Sequence, residues 1–139
     1  MIIEELTEAD VSAATALWDE AELTRPWNDA ATDFRRALKG PTSAVLGLRD
    51  DGEIVGTVMV GFDGHRGWVY YLAVTPQRRG HGLGRVLMNA AEDWLGAKGA
   101  VKVQLMIRSE NQSALGFYQQ LKYQAAPVEV LSRWLDVKR

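Results

Sequence analysis

The 139-residue chain has no cysteine. Disulfides are excluded, and with them any thiol-linked covalent intermediate on the protein. Histidine is nearly absent too: His65 and His81 make no metal-binding cluster, so no metal is expected. No run approaches the ~18 apolar residues of a membrane span. The opening MIIEELTEAD is acidic and lacks the apolar stretch of a secretory signal. A cytoplasmic location with no membrane partner is the expectation. An excess of one charge is also missing: 16 basic and 18 acidic residues leave a net −2. That argues against dedicated nucleic-acid binding. No linker, repeat or low-complexity tract interrupts the sequence, so residues 1–139 are expected to form a single domain. With 47% hydrophobic and 24% charged residues, such a domain can bury a real core.

Patterning divides the chain into short elements. Residues 1–6 alternate weakly and read as a first strand. Thr7, with Asp10 three residues on, can cap a helix burying Val11, Ala14, Trp18 and Ala21. A loop around Pro26 follows, and Asn28 or Asp29 starts a second helix with Phe34, Ala37 and Leu38 inward, stopped at Gly40-Pro41. Residues 43–49 and 53–62 flank Asp50-Asp51-Gly52, a hairpin signal. A second turn, residues 63–67, leads into WVYYLAV, completing an antiparallel meander. A helix then carries the chain to a strand at 101–107, which a crossover of this length places parallel to its predecessor. Asn111 caps a fourth helix through Leu121. Residues 123–126 and 128–135 read as two more strands around Pro127.

Residues 68–98 organise the rest. The strand WVYYLAV breaks at Thr75-Pro76, runs through QRRGHGLG, and continues as a helix of about 25 Å at 1.5 Å per residue. Leu83, Leu87, Ala90 and Trp94 have the spacing of one buried face. Glycines and the cations Arg78, Arg79 and Arg85 crowd the junction. Glycine admits close backbone approach, and a helix start offers unpaired N–H groups and partial positive charge, so the junction reads as a phosphate cradle. The dinucleotide pattern G-x-G-x-x-G fails, because its third position falls on Arg85 or Leu87. The triphosphate loop fails because no Gly-Lys-Ser/Thr occurs.

What remains, R-G-H-G-L-G, resembles the acetyl-CoA loop R/Q-x-x-G-x-G/A of the GCN5-related N-acetyltransferases (GNAT). Arg79, Gly82 and Gly84 sit on its fixed positions. The order of elements is similar to that family's over nearly the whole chain. The resemblance implies an α/β (α+β) GNAT fold: a mixed central sheet of six to seven strands flanked by about four helices, in the order β-α-α-β-β-β-α-β-α-β-β. It implies an N-acetyltransferase that moves acetyl from acetyl-CoA to a primary amine, on a small molecule or a protein, by direct attack in a ternary complex. A homodimer is among the assemblies it allows. Within the family, length and the TRPWND segment resemble small bacterial members of unassigned acceptor.

Residue by residue, the resemblance implies that Arg79, Gly80, His81, Gly82, Leu83 and Gly84 wrap the coenzyme A pyrophosphate, mostly through backbone N–H groups. Arg78 and Arg85 either reach phosphate oxygens or are solvated. Leu72, Ala73 and Val74 would offer main-chain hydrogen bonds to the pantetheine arm, with an N–H near Leu72 polarising the thioester carbonyl. Asn111, Ala114, Phe117 and Tyr118 fit the family's N-x-x-A-x-x-F-Y pattern. There the Asn contacts the cosubstrate and the Tyr points at its sulfur, which makes Tyr118 the expected catalytic residue. Asn111 is also a plain helix cap, and Tyr118 a plain buried aromatic. Arg25, Trp27 and Asn28 fall in a loop that borders the acceptor site in this fold, although Trp27 could equally tuck into the core. Many family members carry a Glu on the central strand as general base, whereas Val69-Tyr70-Tyr71 has no carboxylate. A water chain, which Tyr70 could anchor, or a carboxylate such as Glu22 or Asp63 would have to serve. The missing carboxylate also keeps open a non-catalytic acyl-CoA-binding regulatory module on the same fold.

Overall fold

The computed structural model describes residues 1–136. They fall into two compact units, Met1–Met106 and a second from Ile107 onward. The first unit is built on a five-stranded sheet in which neighbouring strands follow chain order. β1 (Ile2–Glu5), β2 (Ser43–Asp50), β3 (Glu53–Phe62) and β4 (Gly67–Val74) are antiparallel neighbours, and β5 (Val103–Gln104) lies parallel to β4. The β2–β3 hairpin closes as the sequence predicts. Asp50 pairs with Glu53, leaving Asp51 and Gly52 with φ of 53° and 84°. Two positive φ values in a two-residue loop give the type I′ turn, whose twist matches that of the strands. The β3–β4 turn is tied by Asp63, whose Oδ1 accepts the N–H groups of His65 and Arg66 at 2.7 Å each.

α1 (Val11–Glu20) and α2 (Ala30–Lys39) cover one face of the sheet. Trp18, Phe34, Val45 and Ala73 share a buried cluster there. α1 is preceded by a short 3-10 turn, Glu8–Asp10, whose Thr7–Asp10 pair forms the expected capping box. α2 starts at Asp29, whose side chain accepts from the Thr32 N–H at 3.1 Å. α3 (Leu83–Lys98) covers the other face, so closely that a Cβ on Gly56 would meet Leu87 at 2.7 Å. Burial of Leu87, Met88 and Leu95 against the sheet contributes about 1.5–3 kcal/mol each.

Three expectations need correction. The buried stripe of α3 is Leu83, Leu87, Met88, Ala91 and Leu95; Ala90 and Trp94 are only half-buried. Trp94 instead turns its indole N–H to Glu5 at 3.4 Å, with Lys98 over its ring. An amphipathic ring of this kind settles at the margin of a core rather than inside it. Second, β5 has two residues rather than seven, because pairing with β4 stops after Gly67↔Val103 and Trp68↔Gln104. Third, the described residues contain five strands, not six to seven: 123–126 and 128–135 form none. Their alternating pattern lacks a paired edge within the second unit, and Val128, Leu131 and Leu135 are exposed at 70%, 92% and 92%. Strand hydrogen bonds need a neighbour that the pattern cannot supply by itself.

The second unit contains one helix, α4 (Gln112–Gln120), capped by Asn111. Among the described residues no helix is long and apolar enough to cross a membrane.

Candidate active site

The geometry of interest starts with an irregularity in β4. Its register against β3 runs Met59↔Tyr70 and then Thr57↔Ala73, so Tyr71 and Leu72 together oppose Val58. This is a β-bulge, and a bulge bends its strand. It lies just beyond the last β4–β5 rung at Trp68. The two strands therefore part where β4 turns away.

Beyond the bulge the Thr75 N–H donates to the Val55 carbonyl at 2.9 Å. By alternation Ala73 also bonds toward β3, and the N–H and C=O groups of Leu72 and Val74 face away from it. Arg79 reinforces this arrangement, its Nε donating to the Val74 carbonyl at 3.3 Å. Of the three residues expected to offer main-chain bonds, Leu72 thus presents its backbone groups to the open edge and Val74 its N–H, the Val74 carbonyl being taken by Arg79. Ala73 does not: it is buried and bonds inward.

The chain then passes Thr75 and a 3-10 turn, Pro76–Arg78, into the glycine turn. Gly80 and Gly82 have φ of 82° and 79°, and a Cβ at either would meet nothing within 4 Å. The left-handed backbone calls for glycine, and the space around it is open. Gly82 is the N-cap of α3, makes no side-chain cap, and is followed by a first turn without acidic residues. Arg79, His81 and Arg85 are exposed beside it, while Leu83 turns inward to the core. A positive, uncapped helix start behind an open glycine turn fits a pyrophosphate. Arg78 is drawn the other way: it pairs with Asp50 at 2.6 Å.

The remaining candidates divide. Trp27 is 40% exposed, so it is not a core residue, and Asn28 is exposed next to it. Arg25 spends its guanidinium on its own loop, donating to the Glu22 and Thr24 carbonyls at 3.0 and 2.8 Å. Tyr70 is 43% exposed, its phenol pushed up by partial burial and by the charge of Asp63. Asp63 is a poor base, because the Arg66 and His65 N–H groups hold its carboxyl below the usual range.

Within the second unit, Asn111 Oδ1 accepts from the Ala114 N–H at 3.0 Å, so the cap exists. Tyr118 packs edge-on against Phe117 and Tyr123, with ring centroids at 5.0 and 5.8 Å. Burial pushes its phenol up to about 12.

Sequence reasoning missed the residues that fix the bulge: Trp18, Asp33, Thr57 and Tyr71. A left-handed Tyr71, φ 51°, has no glycine or proline to announce it. Only the polar Thr57, within the otherwise apolar run of residues 54–62, hinted at a buried hydrogen bond.

A split sheet with a glycine turn leading into the following helix defines an α/β fold with an open strand edge, and comparison with known proteins makes this specific. Residues 3–123 match the acetyltransferase (GNAT) family. The chain belongs to that family. It is 40% identical over 126 residues to Acetyltransferase ECA0875 of Pectobacterium atrosepticum, covering 91% of this chain and 89% of that protein. Among solved structures, AAC(6')-Iy in complex with the bisubstrate analogue CoA-S-monomethyl-acetylneamine superimposes with a TM-score of 0.82 at 16% identity, covering 96% and 97% of the two chains. The ribosomal-protein-S18-alanine N-acetyltransferase of Escherichia coli gives 0.77 at 24% identity, covering 90% of this chain and 78% of that one.

Proposed function

We propose that this acetyltransferase moves the acetyl group of acetyl-CoA to a primary amine by direct attack in a ternary complex, with residues 1–139 acting as one domain. The observation that carries the reading is the open, uncapped glycine turn of residues 80–82 at the start of α3, continuous with the outward-facing edge of β4. In this reading the N–H groups of the turn and of the first turn of α3 take the pyrophosphate, with Arg79 and His81 alongside. The outward backbone groups of Leu72 and Val74 take the pantetheine arm, as a peptide adds to a sheet edge.

The Leu72 N–H meets the thioester carbonyl as the amine attacks. Such a donor is worth about 3 kcal/mol in the transition state. The carbon–nitrogen bond forms, the carbon–sulfur bond breaks, and coenzyme A leaves as a thiolate. Tyr118 donates a hydrogen bond to that thiolate. With burial holding its phenol well above a thiol of pKa near 8.5, handing the proton to the thiolate is unfavourable. Tyr118 therefore acts as a hydrogen-bond donor rather than an acid. The amine loses its proton to water held near Tyr70, since Asp63 is committed to its turn. Trp27 and Asn28 form the acceptor border. Neighbours in fold are named an aminoglycoside N-acetyltransferase and a ribosomal-protein-S18-alanine N-acetyltransferase, so both amine classes are acceptor candidates.

The test is calorimetry with acetyl-CoA, followed by thiol release over aminoglycosides, polyamines and alanine-terminated peptides. The absence of cysteine makes every thiol counted that of coenzyme A. Binding with release on one amine class is the expected result. Binding without release on any would favour the regulatory module, and no binding would overturn both.

A further inference from the structure

The bulge in β4 does more than bend the strand: it sets which N–H groups the open edge displays. Below it, the Gly67 N–H donates to the Lys102 carbonyl at 2.9 Å, so odd-numbered residues face β5 there. Above it, Thr75 bonds toward β3, so even-numbered residues face outward. The extra residue reverses the phase. In an unbulged β4 the Leu72 N–H would be spent on β3.

Tyr71 holds this reversal at a cost, since a left-handed non-glycine residue carries about 1–2 kcal/mol of strain. Such strain persists only where surrounding contacts over-determine it. Three do. The Thr57 hydroxyl donates to the Tyr71 carbonyl at 3.0 Å. The same oxygen accepts the Trp18 indole N–H at 2.8 Å, and both Trp18 and Thr57 are fully buried. The Tyr71 ring stacks on Trp18 with centroids 3.8 Å apart and planes 11° off parallel, and its hydroxyl donates to Asp33 Oδ2 at 2.7 Å.

We propose that Thr57 and Tyr71, braced by Trp18 and Asp33, are positioning residues that aim the Leu72 N–H into the open edge. The inference rests on the function proposed above for its catalytic consequence, but its geometric content stands apart from it. The experiment is Thr57→Val, which keeps shape and removes both hydroxyl bonds, with Thr57→Ser as the conservative control. A small misplacement of a catalytic donor costs up to about 100-fold, so kcat is expected to fall about 10- to 100-fold in Thr57→Val. Acetyl-CoA affinity should stay within about threefold, because other backbone groups carry it, and Thr57→Ser should recover most of the rate. A folded Thr57→Val with wild-type kcat would overturn the proposal, as would equal losses in Thr57→Val and Thr57→Ser. Should Thr57→Val not fold, Thr57→Ala serves: it too removes both hydroxyl bonds, and a wild-type rate there is equally fatal.

Amide hydrogen exchange separates the two ideas. In the wild type, Ala73 should be protected and Leu72 not; in Thr57→Val, or in Thr57→Ala where that variant serves, the contrast should shrink. An unchanged contrast rejects the clamp whatever the enzyme does. A wild type that turns over no amine rejects the functional reading and leaves exchange to decide the clamp.

Discussion

α3 and α4 begin in opposite ways. The start of α4 is satisfied from within: Asn111 reaches forward to the Ala114 N–H at 3.0 Å and takes the Ser113 hydroxyl at 3.2 Å. α2 does the same through Asp29. The start of α3 has Gly82 at its cap and no side-chain bond, with exposed cations beside it. A glycine cap gives up only about a few tenths of a kcal/mol against Asn or Asp, but it leaves the first N–H groups without a side-chain acceptor. Forgoing that acceptor on the longest helix makes sense where something other than the chain completes the first turn. The contrast is what the proposed cradle calls for: the start of α3, left without a side-chain acceptor, is the one a bound anion would complete.

The strongest way to break the contrast is to close the turn at α3. Gly82→Val puts a branched side chain on a backbone with φ of 79° and into the open space beside it. Acetyl-CoA affinity is expected to fall by about 100-fold or more, as strain and obstruction add. Calorimetry measures it, and an unchanged Kd would move the cradle elsewhere.

On α4, whose start is already capped, the proposal is tested at Tyr118. Tyr118→Phe keeps the ring and removes the hydroxyl. A hydrogen bond to a charged partner is worth about 1.5–3 kcal/mol, hence a fall of about 10- to 100-fold in kcat, with acetyl-CoA affinity little changed. Because burial raises the phenol, it stays protonated well past neutrality, so this step should impose no loss of rate between pH 7 and 10. Thiol release by wild type and variant decides the first point, and the pH profile the second. A kcat within twofold would make Tyr118 a packing residue.

The smallest effect is expected at the finished start. Asn111→Ala should cost about 1 kcal/mol of stability, while Asn111→Asp, which retains the cap, should cost a few tenths. If Asn111 also touches acetyl-CoA, both variants weaken binding severalfold. Thermal melting and calorimetry run side by side keep the two roles apart.

Much of this was legible in the sequence because it is local chemistry. Asp51-Gly52 dictates its own turn, Asp29 and Asn111 announce their helices, and the glycines of residues 80–84 fail every pattern except one. The bulge was not legible, because its causes lie far apart: Thr57 is 14 residues from Tyr71, and Trp18 is 39 from Thr57. The face of α3 was misread by one position because Trp94 counts as apolar in a pattern yet keeps a polar edge. The strands expected after Tyr123 show the reverse failure, where the right alternation was present without a neighbouring edge.

Gly67 sits one residue before the last β4–β5 rung, at the root of the segment of β4 that runs on without β5. A Cβ there would press on the Leu95 methyls at 3.0 and 3.1 Å and on Ala100 at 3.3 Å. That makes the glycine a pivot, and the strand beyond it a lever. From Trp68 to Val74 the lever runs about 20 Å at 3.3 Å per residue. One degree of rotation at the pivot then displaces the far end by about 0.35 Å, and catalytic groups tolerate only about 0.5 Å. A single methyl group at Gly67 would be geared up into a shift of the proposed site at the far end of the strand.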